Sequence, residues 1–284
     1  MKRSDIRIAF FGTSEFSTII LDQLLEAGFM PALLISTPDT KQGRGLKQTP
    51  PPVKEWGDEH GIDTVQFERL DNAAIAELNN SEWDLFIVAS YGKILPQALL
   101  EIPTHGVLNV HPSLLPKWRG PSPIQAAILN DTTTGITIMC VDEEIDHGPI
   151  VAQASVELDE WPPRAALLTK LLATEGGKLL AEVIPQWIAG SITPEPQDHT
   201  KATFSKKITK EDGRVDLEHT KPFEAYKKIQ AFADYPGAYF FTNRNGKAVR
   251  VKITDASFED GVLSITHVIP EGKKEMAYQD FLRG

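Results

Sequence analysis

The chain has 284 residues, 24% of them charged and 41% hydrophobic, the make-up of a globular protein with room for one large and one small domain. Its formal charge of −10 argues against a protein that coats nucleic acid with its whole surface, although a local basic site depends only on where its 29 lysines and arginines lie. No apolar run approaches the length of a membrane span, no apolar signal segment precedes the first strand, and the single cysteine, Cys140, excludes an internal disulfide, so a cytoplasmic protein is expected.

In chain order, Arg7 to Gly12 reads as a buried strand and Ser14 to Gly28 as an amphipathic helix ending on glycine. Ala32 to Thr37 is a second strand. Thr37 to Lys54 reads as a long loop carrying Lys41, Arg44, Lys47 and Lys54. Glycines flank Arg44 and leave the backbone free to approach another surface, although composition alone fits a solvated loop as well. Pro52 to His60 is a helix with Gly61 as its stop. Asp84 to Ser90 is a near-continuous apolar run, the pattern of a strand covered on both faces of a parallel sheet. Gly106 to His111 and Gly135 to Val141 are further strands, with a helix from Ser122 to Asn130 between them. This alternation predicts a doubly wound α/β domain whose ligand crevice lies outside the carboxyl ends of its strands. Ile150 to Leu158 reads as an edge strand, and Ala165 to Ala189 as a long helix that Pro185 breaks or kinks.

The large domain is therefore set at residues 1–189. Residues 190–210, with two prolines and a basic-polar run, read as a linker. Residues 211–284 read as a small β-rich domain: a helix from Pro222 to Phe232, then strands at Ala238 to Thr242, Lys247 to Thr254 and Val262 to Val268, with Asn245-Gly246 as a hairpin turn.

Three side chains carry the chemical expectation. Asn109 and His111 stand two residues apart on an extended segment, so they project from the same side. An amide and an imidazole at a strand's carboxyl end suit the gripping of a polarised oxygen. The acidic turn from Asp142 to Pro149, after the strand Gly135 to Val141, then offers Asp146 as a third member, so that all three are expected at the carboxyl ends of strands. Each has an ordinary alternative: a turn-forming asparagine, a structural histidine, an aspartate that initiates a turn. There is no G-x-G-x-x-G or Walker pattern and the histidines are scattered singly, so neither a nucleotide phosphate nor a metal is expected.

Asn109-Val110-His111-Pro112-Ser113-Leu114-Leu115-Pro116-Lys117-Trp118-Arg119-Gly120, followed by the turn around Asp146, resembles the formyltransferases that use 10-formyltetrahydrofolate. The resemblance extends through Ile8 to Thr13, Pro38 to Lys54, Ser90 to Pro96, Pro194 to Asp198 and Gly272 to Met276. The basic loop narrows it to the methionyl-tRNA formyltransferases. It implies a Rossmann-like formyltransferase domain followed by an OB-like barrel, here minimal or truncated, with residues missing around Asp255 to Gly261. It implies transfer of the formyl group of 10-formyltetrahydrofolate to the free amino group of methionyl-initiator tRNA. Asn109 and His111 would stabilise the oxyanion, and Asp146 would accept the proton or hold the group that does. Ser113, Leu114, Leu115 and Pro116 would contact folate, with Ser90 to Pro96 as another wall. Lys41, Arg44 and Lys47 would meet the tRNA, Arg44 matching the central arginine of that loop. His147 stands where the family suggests a small polar residue and is given no role. A monomer is expected.

A sugar-nucleotide N-formyltransferase would share the same trio, and Ala233 to Ala238 keeps that alternative open. The loop around Arg44 discriminates, because a small acceptor needs no basic arm. A folate-binding module without transfer activity is the alternative from another class.

Overall fold

The computed structural model describes residues 3–42, 47–244 and 246–283. Its contacts divide it into two units. One takes in the chain up to Pro121 with Thr134–Glu157 and Lys170–Phe204; the other takes in Ser122–Thr133, Leu158–Thr169 and the chain from Ser205 onward.

In the first unit β1 (Ile8–Gly12), α1 (Glu15–Glu26), β2 (Leu33–Ser36), β3 (Thr40–Gln42), β4 (Lys47–Thr49), α2 (Pro52–His60), β5 (Thr64–Gln66), α3 (Asn72–Asn79), β6 (Leu85–Ala89), α4 (Gln97–Leu100) and β7 (Val107–His111) follow one another. After α5 (Pro123–Asn130), which belongs to the second unit, come β8 (Thr134–Cys140), β9 (Ile150–Val156) and α6 (Ala165–Ile188), within which the division falls. The seven-stranded sheet runs β5-β2-β1-β6-β7-β8-β9.

Side-chain alternation along β1 shows why the sheet is covered on both faces. Ala9 and Phe11 join a cluster with Leu78 of α3 and Leu99 of α4. The opposite parity meets α1, since any Cβ on Gly12 would press on Ser17. The five strands from β5 to β7 pair in parallel, with the strand order reversing between β1 and β6, where open α/β sheets place their ligand crevices.

Several elements go beyond the sequence expectation. β5 has only three residues and no apolar pattern to announce it. α3 did have a signal: Asp71 caps it, accepting from the Ala73 and Ala74 N–H groups. The basic loop is in part a hairpin, with Gln42 opposite Lys47 and Lys41 opposite Gln48. Pro185 does not end α6, which continues to Ile188. The sheet is not parallel throughout: β8 runs antiparallel to β7, and β9, at the edge, antiparallel to β8. Alternating strand and helix suggested another parallel addition, but α5 returns the chain from the end of β7 to begin β8 beside His111.

In the second unit α7 (Pro222–Ala231) precedes β10 (Tyr239–Arg244), β11 (Lys247–Glu259), β12 (Val262–Pro270), β13 (Met276–Ala277) and α8 (Tyr278–Arg283). The four strands form an antiparallel sheet in chain order. Val251, Ile253, Val268 and Phe240 pack on Ala225 and Ile229 of α7 and Phe281 of α8. β11 is longer than expected and turns tightly into β12 where residues seemed to be missing. Asp260 and Gly261, at φ 49° and 82°, make a two-residue turn whose double positive φ suits a twisted hairpin.

Among the described residues no helix is long and apolar enough to cross a membrane.

Candidate active site

β7 carries the first two candidates. Asn109 is half-buried and His111 is 4% exposed. The His111 Nε2 lies 3.0 Å from the carbonyl oxygen of Trp118. That oxygen can only accept, so Nε2 carries a hydrogen and Nδ1 is the atom turned toward the third candidate. Asp146 closes the group: its Oδ1 stands 3.4 Å from the Asn109 Nδ2 and 3.5 Å from the His111 Nδ1. Its Oδ2 accepts the Gly120 N–H at 2.7 Å.

The structure therefore brings Asn109, His111 and Asp146 together, but corrects how Asp146 arrives. It does not stand at the carboxyl end of a parallel strand. Because β8 is antiparallel, its last residue, Cys140, pairs with Leu108 near the start of β7. The turn from Val141 to Pro149 then carries Asp146 back toward His111, and the Cys140 N–H closes it on the Pro149 carbonyl at 2.9 Å. Gly148 permits this closure, since any Cβ there would collide with the Cys140 carbonyl oxygen. Asp146 itself sits at φ 51°, a left-handed conformation that typically costs about 1–3 kcal/mol and persists only where the surroundings hold it. Burial, then the charge of Asp142, push the Cys140 thiol up to about 11, so it remains a neutral apolar filler.

Beyond the three candidates the site contains residues to which the sequence assigned no role. Gln197, 5% exposed, donates to the carbonyls of Asp146 and Gly148 at 3.0 and 2.7 Å. Its oxygen accepts from Nε and Nη2 of the buried Arg119 at 3.2 and 2.7 Å. Arg119 also donates to the His199 Nδ1 at 2.9 Å, and His199 stacks on His147 with ring centres 4.1 Å apart. Arg119 and Gly120 belong to the motif that drew attention to the site. Gln197 lay in the expected linker, and 51 residues of separation from Asp146 hid its contact.

The Ser113 to Pro116 segment is knitted into the sheet. Ser113 is buried and its hydroxyl donates to the Lys117 carbonyl at 2.6 Å. Leu115 is also buried; its N–H donates to Thr137 and its carbonyl accepts from Gln153. Only Leu114 and Pro116 of the four keep partly open surface. In the neighbouring segment Tyr91 is buried, its hydroxyl has no partner among the described residues, and burial pushes its pKa up to about 12. Ile94, by contrast, is 65% exposed.

Lys41 and Lys47 are exposed, and the hairpin register sends them to opposite faces of the ribbon. Gln66 holds the hairpin's base, donating to the Thr37 carbonyl and the Asp39 carboxylate. Lys54 is committed to an ion pair with Asp58. Arg44 lies outside the described residues. Among the described residues no group of three or more His, Cys, Asp or Glu could hold a metal ion.

Residues 6–184 match the formyl transferase family, and residues 207–260 match the formyl transferase C-terminal domain. A methionyl-tRNA formyltransferase of Chloroflexus aggregans is 41% identical over 268 residues, covering 91% of this chain and 84% of its own. One from Halalkalibacterium halodurans is 37% identical over 304 residues, covering 98% and 95%. An N-formyltransferase from Helicobacter canadensis, solved with folinic acid and dTDP-3-aminofucose, shares the fold at a TM-score of 0.67 and 18% identity, covering 96% and 98%. HypX from Aquifex aeolicus, solved with tetrahydrofolic acid, does so at 0.66 and 19%, covering 98% of this chain and 47% of its own.

Proposed function

The chain belongs to the formyl transferase family, with methionyl-tRNA formyltransferases among its relatives, and on that premise we propose that it moves the formyl group of 10-formyltetrahydrofolate to the free amino group of methionyl-initiator tRNA. The observation that carries this reading is the 37–41% identity to enzymes of that activity along almost the whole chain. The solved sugar formyltransferases are similar only in fold, at 17–22% identity, so the amino-sugar acceptor ranks second.

In the proposed mechanism the amino nitrogen attacks the formyl carbon, and the carbonyl electron pair moves onto oxygen. The Asn109 Nδ2 is a donor for that oxygen. His111 stands beside it, its ring held by the Nε2 hydrogen given to Trp118 and its Nδ1 turned into the site. A donor aimed at developing charge typically contributes about 3–4 kcal/mol. Asp146 takes the proton that the amine loses. One of its oxygens is occupied by Gly120 while the other faces Asn109 and His111, so the carboxylate is oriented and still able to accept. Collapse breaks the bond to the folate nitrogen, which leaves with the proton that Asp146 took, so the carboxylate is regenerated. Leu114 and Pro116 offer apolar surface to the folate ring, while Ser113 and Leu115 hold the loop in shape. The charges of Lys41, Arg44 and Lys47 suit contacts with tRNA phosphates. The setting is a cytoplasmic enzyme acting as a monomer in translation initiation.

The test is incubation with formyl-labelled 10-formyltetrahydrofolate and methionyl-initiator tRNA. Label should enter the aminoacyl end of the tRNA, and failure to label it with active donor would reject the reading.

A further inference from the structure

Asp146 needs external support. It holds a positive φ at the tip of an acidic turn, and its carboxylate has to stay oriented toward Asn109 and His111. The Gly120 N–H fixes one carboxylate oxygen, but nothing in the side chain fixes the backbone. That task falls to Gln197. Both hydrogens of its amide are used, one on the Asp146 carbonyl and one on the Gly148 carbonyl, so it spans the strained residue and the turn's exit. Both acceptor positions of its oxygen are used by Arg119.

The amide has one sensible orientation. Turned over, its oxygen would face two carbonyls and its NH2 would face a guanidinium, which has donors only. Arg119 stands between Trp118, whose carbonyl holds His111, and Gly120, whose N–H holds Asp146. One buried amide thus ties together the two backbone segments that orient the two titratable members of the site. Gln197 is itself placed by Glu195, which exchanges both backbone hydrogen bonds with Ile150 at 2.8 Å.

We propose that Gln197, braced by Arg119, is a positioning residue that sets the Asp146 carboxylate against Asn109 and His111. The inference rests on the functional reading above, both for the acceptor and for the part played by Asp146. Small displacements of a reacting group cost up to about a hundredfold in rate. Gln197→Ala should therefore lower the single-turnover rate at least about tenfold, while KM for folate and for methionyl-initiator tRNA stays within about twofold. Gln197→Glu keeps the bond to Arg119 but sets a carboxylate against two carbonyls, so it should be slowed similarly and serves if the alanine variant does not fold.

A double-mutant cycle with Asp146→Asn separates positioning from general loss of structure. If Gln197 acts through Asp146, its replacement should change the rate of the Asp146→Asn enzyme less than twofold. An equal slowing in both backgrounds would overturn the proposal. The side-chain NMR signals of His111, recorded without substrate, provide a readout independent of the acceptor. They should move in the same direction in Gln197→Ala as in Asp146→Asn, and an unmoved His111 signal would also overturn it. Wild-type inactivity on methionyl-tRNA would reject the functional reading and leave the NMR outcome standing on its own.

Discussion

At the scale of single residues the proposed mechanism depends on Asp146. Asp146→Asn keeps the Gly120 hydrogen bond available to a side-chain oxygen but removes the proton acceptor. Turnover should fall at least about a hundredfold with folate affinity unchanged, measured by single-turnover kinetics beside folate titration. A variant within threefold of wild type would remove Asp146 from the mechanism. Asn109→Ala and His111→Ala should each cost about 2.7–4 kcal/mol in transition-state stabilisation, and the double variant less than the sum, because both act on one developing charge. Strict additivity would argue against a shared oxyanion. Cys140 gives a prediction from titration. Its thiol is raised from 9.0 to about 11, so the folded state retains the proton that the unfolded chain loses. That contribution to stability is complete below pH 9 and is lost as pH rises from 9 to 11. Melting temperature should fall through that window less steeply in Cys140→Ala. These three catalytic candidates were legible because strand alternation places Asn109 and His111 side by side and the motif supplies Asp146. Gln197 was visible only within the Pro194 to Asp198 stretch of the resemblance, and its partner was not, because no local pattern reports a contact over 51 residues.

At the scale of elements the turn from Val141 to Pro149 and the β3–β4 hairpin matter most. Gly148→Ala would drive a methyl group onto the Cys140 carbonyl and open the turn that delivers Asp146. It should lower both melting temperature and turnover, as calorimetry and kinetics on one preparation would show. A stable, fully active variant would mean the turn relaxes without moving Asp146. On the hairpin, Lys41 and Lys47 face opposite sides, so they do not serve one phosphate together. Their alanine variants should weaken tRNA binding mildly and independently. Arg44→Ala should weaken it more, flattening the slope of log K against log salt by up to about one unit while sparing folate. An unchanged slope would take Arg44 out of the interface. The sequence identified the loop by charge but not as a ribbon, because strands of three residues leave no periodicity to detect. It likewise left the β11–β12 hairpin short, although Asp260-Gly261 is a turn signal of the ordinary kind.

At the scale of the whole molecule, alternating pattern and motif together predicted a doubly wound α/β sheet and a small β-rich part, and the seven-stranded and the antiparallel four-stranded sheets are both present. The antiparallel β8 and β9 escaped that prediction, since an apolar run carries no direction. The central claim is the acceptor. It is tested most directly by measuring kcat/KM for formyl transfer to methionyl-initiator tRNA and to a dTDP-linked amino sugar, with the same enzyme and the same 10-formyltetrahydrofolate. A tRNA acceptor predicts rapid, saturable transfer to the tRNA and negligible transfer to the sugar nucleotide. Robust turnover of the amino sugar with none of the tRNA would contradict it.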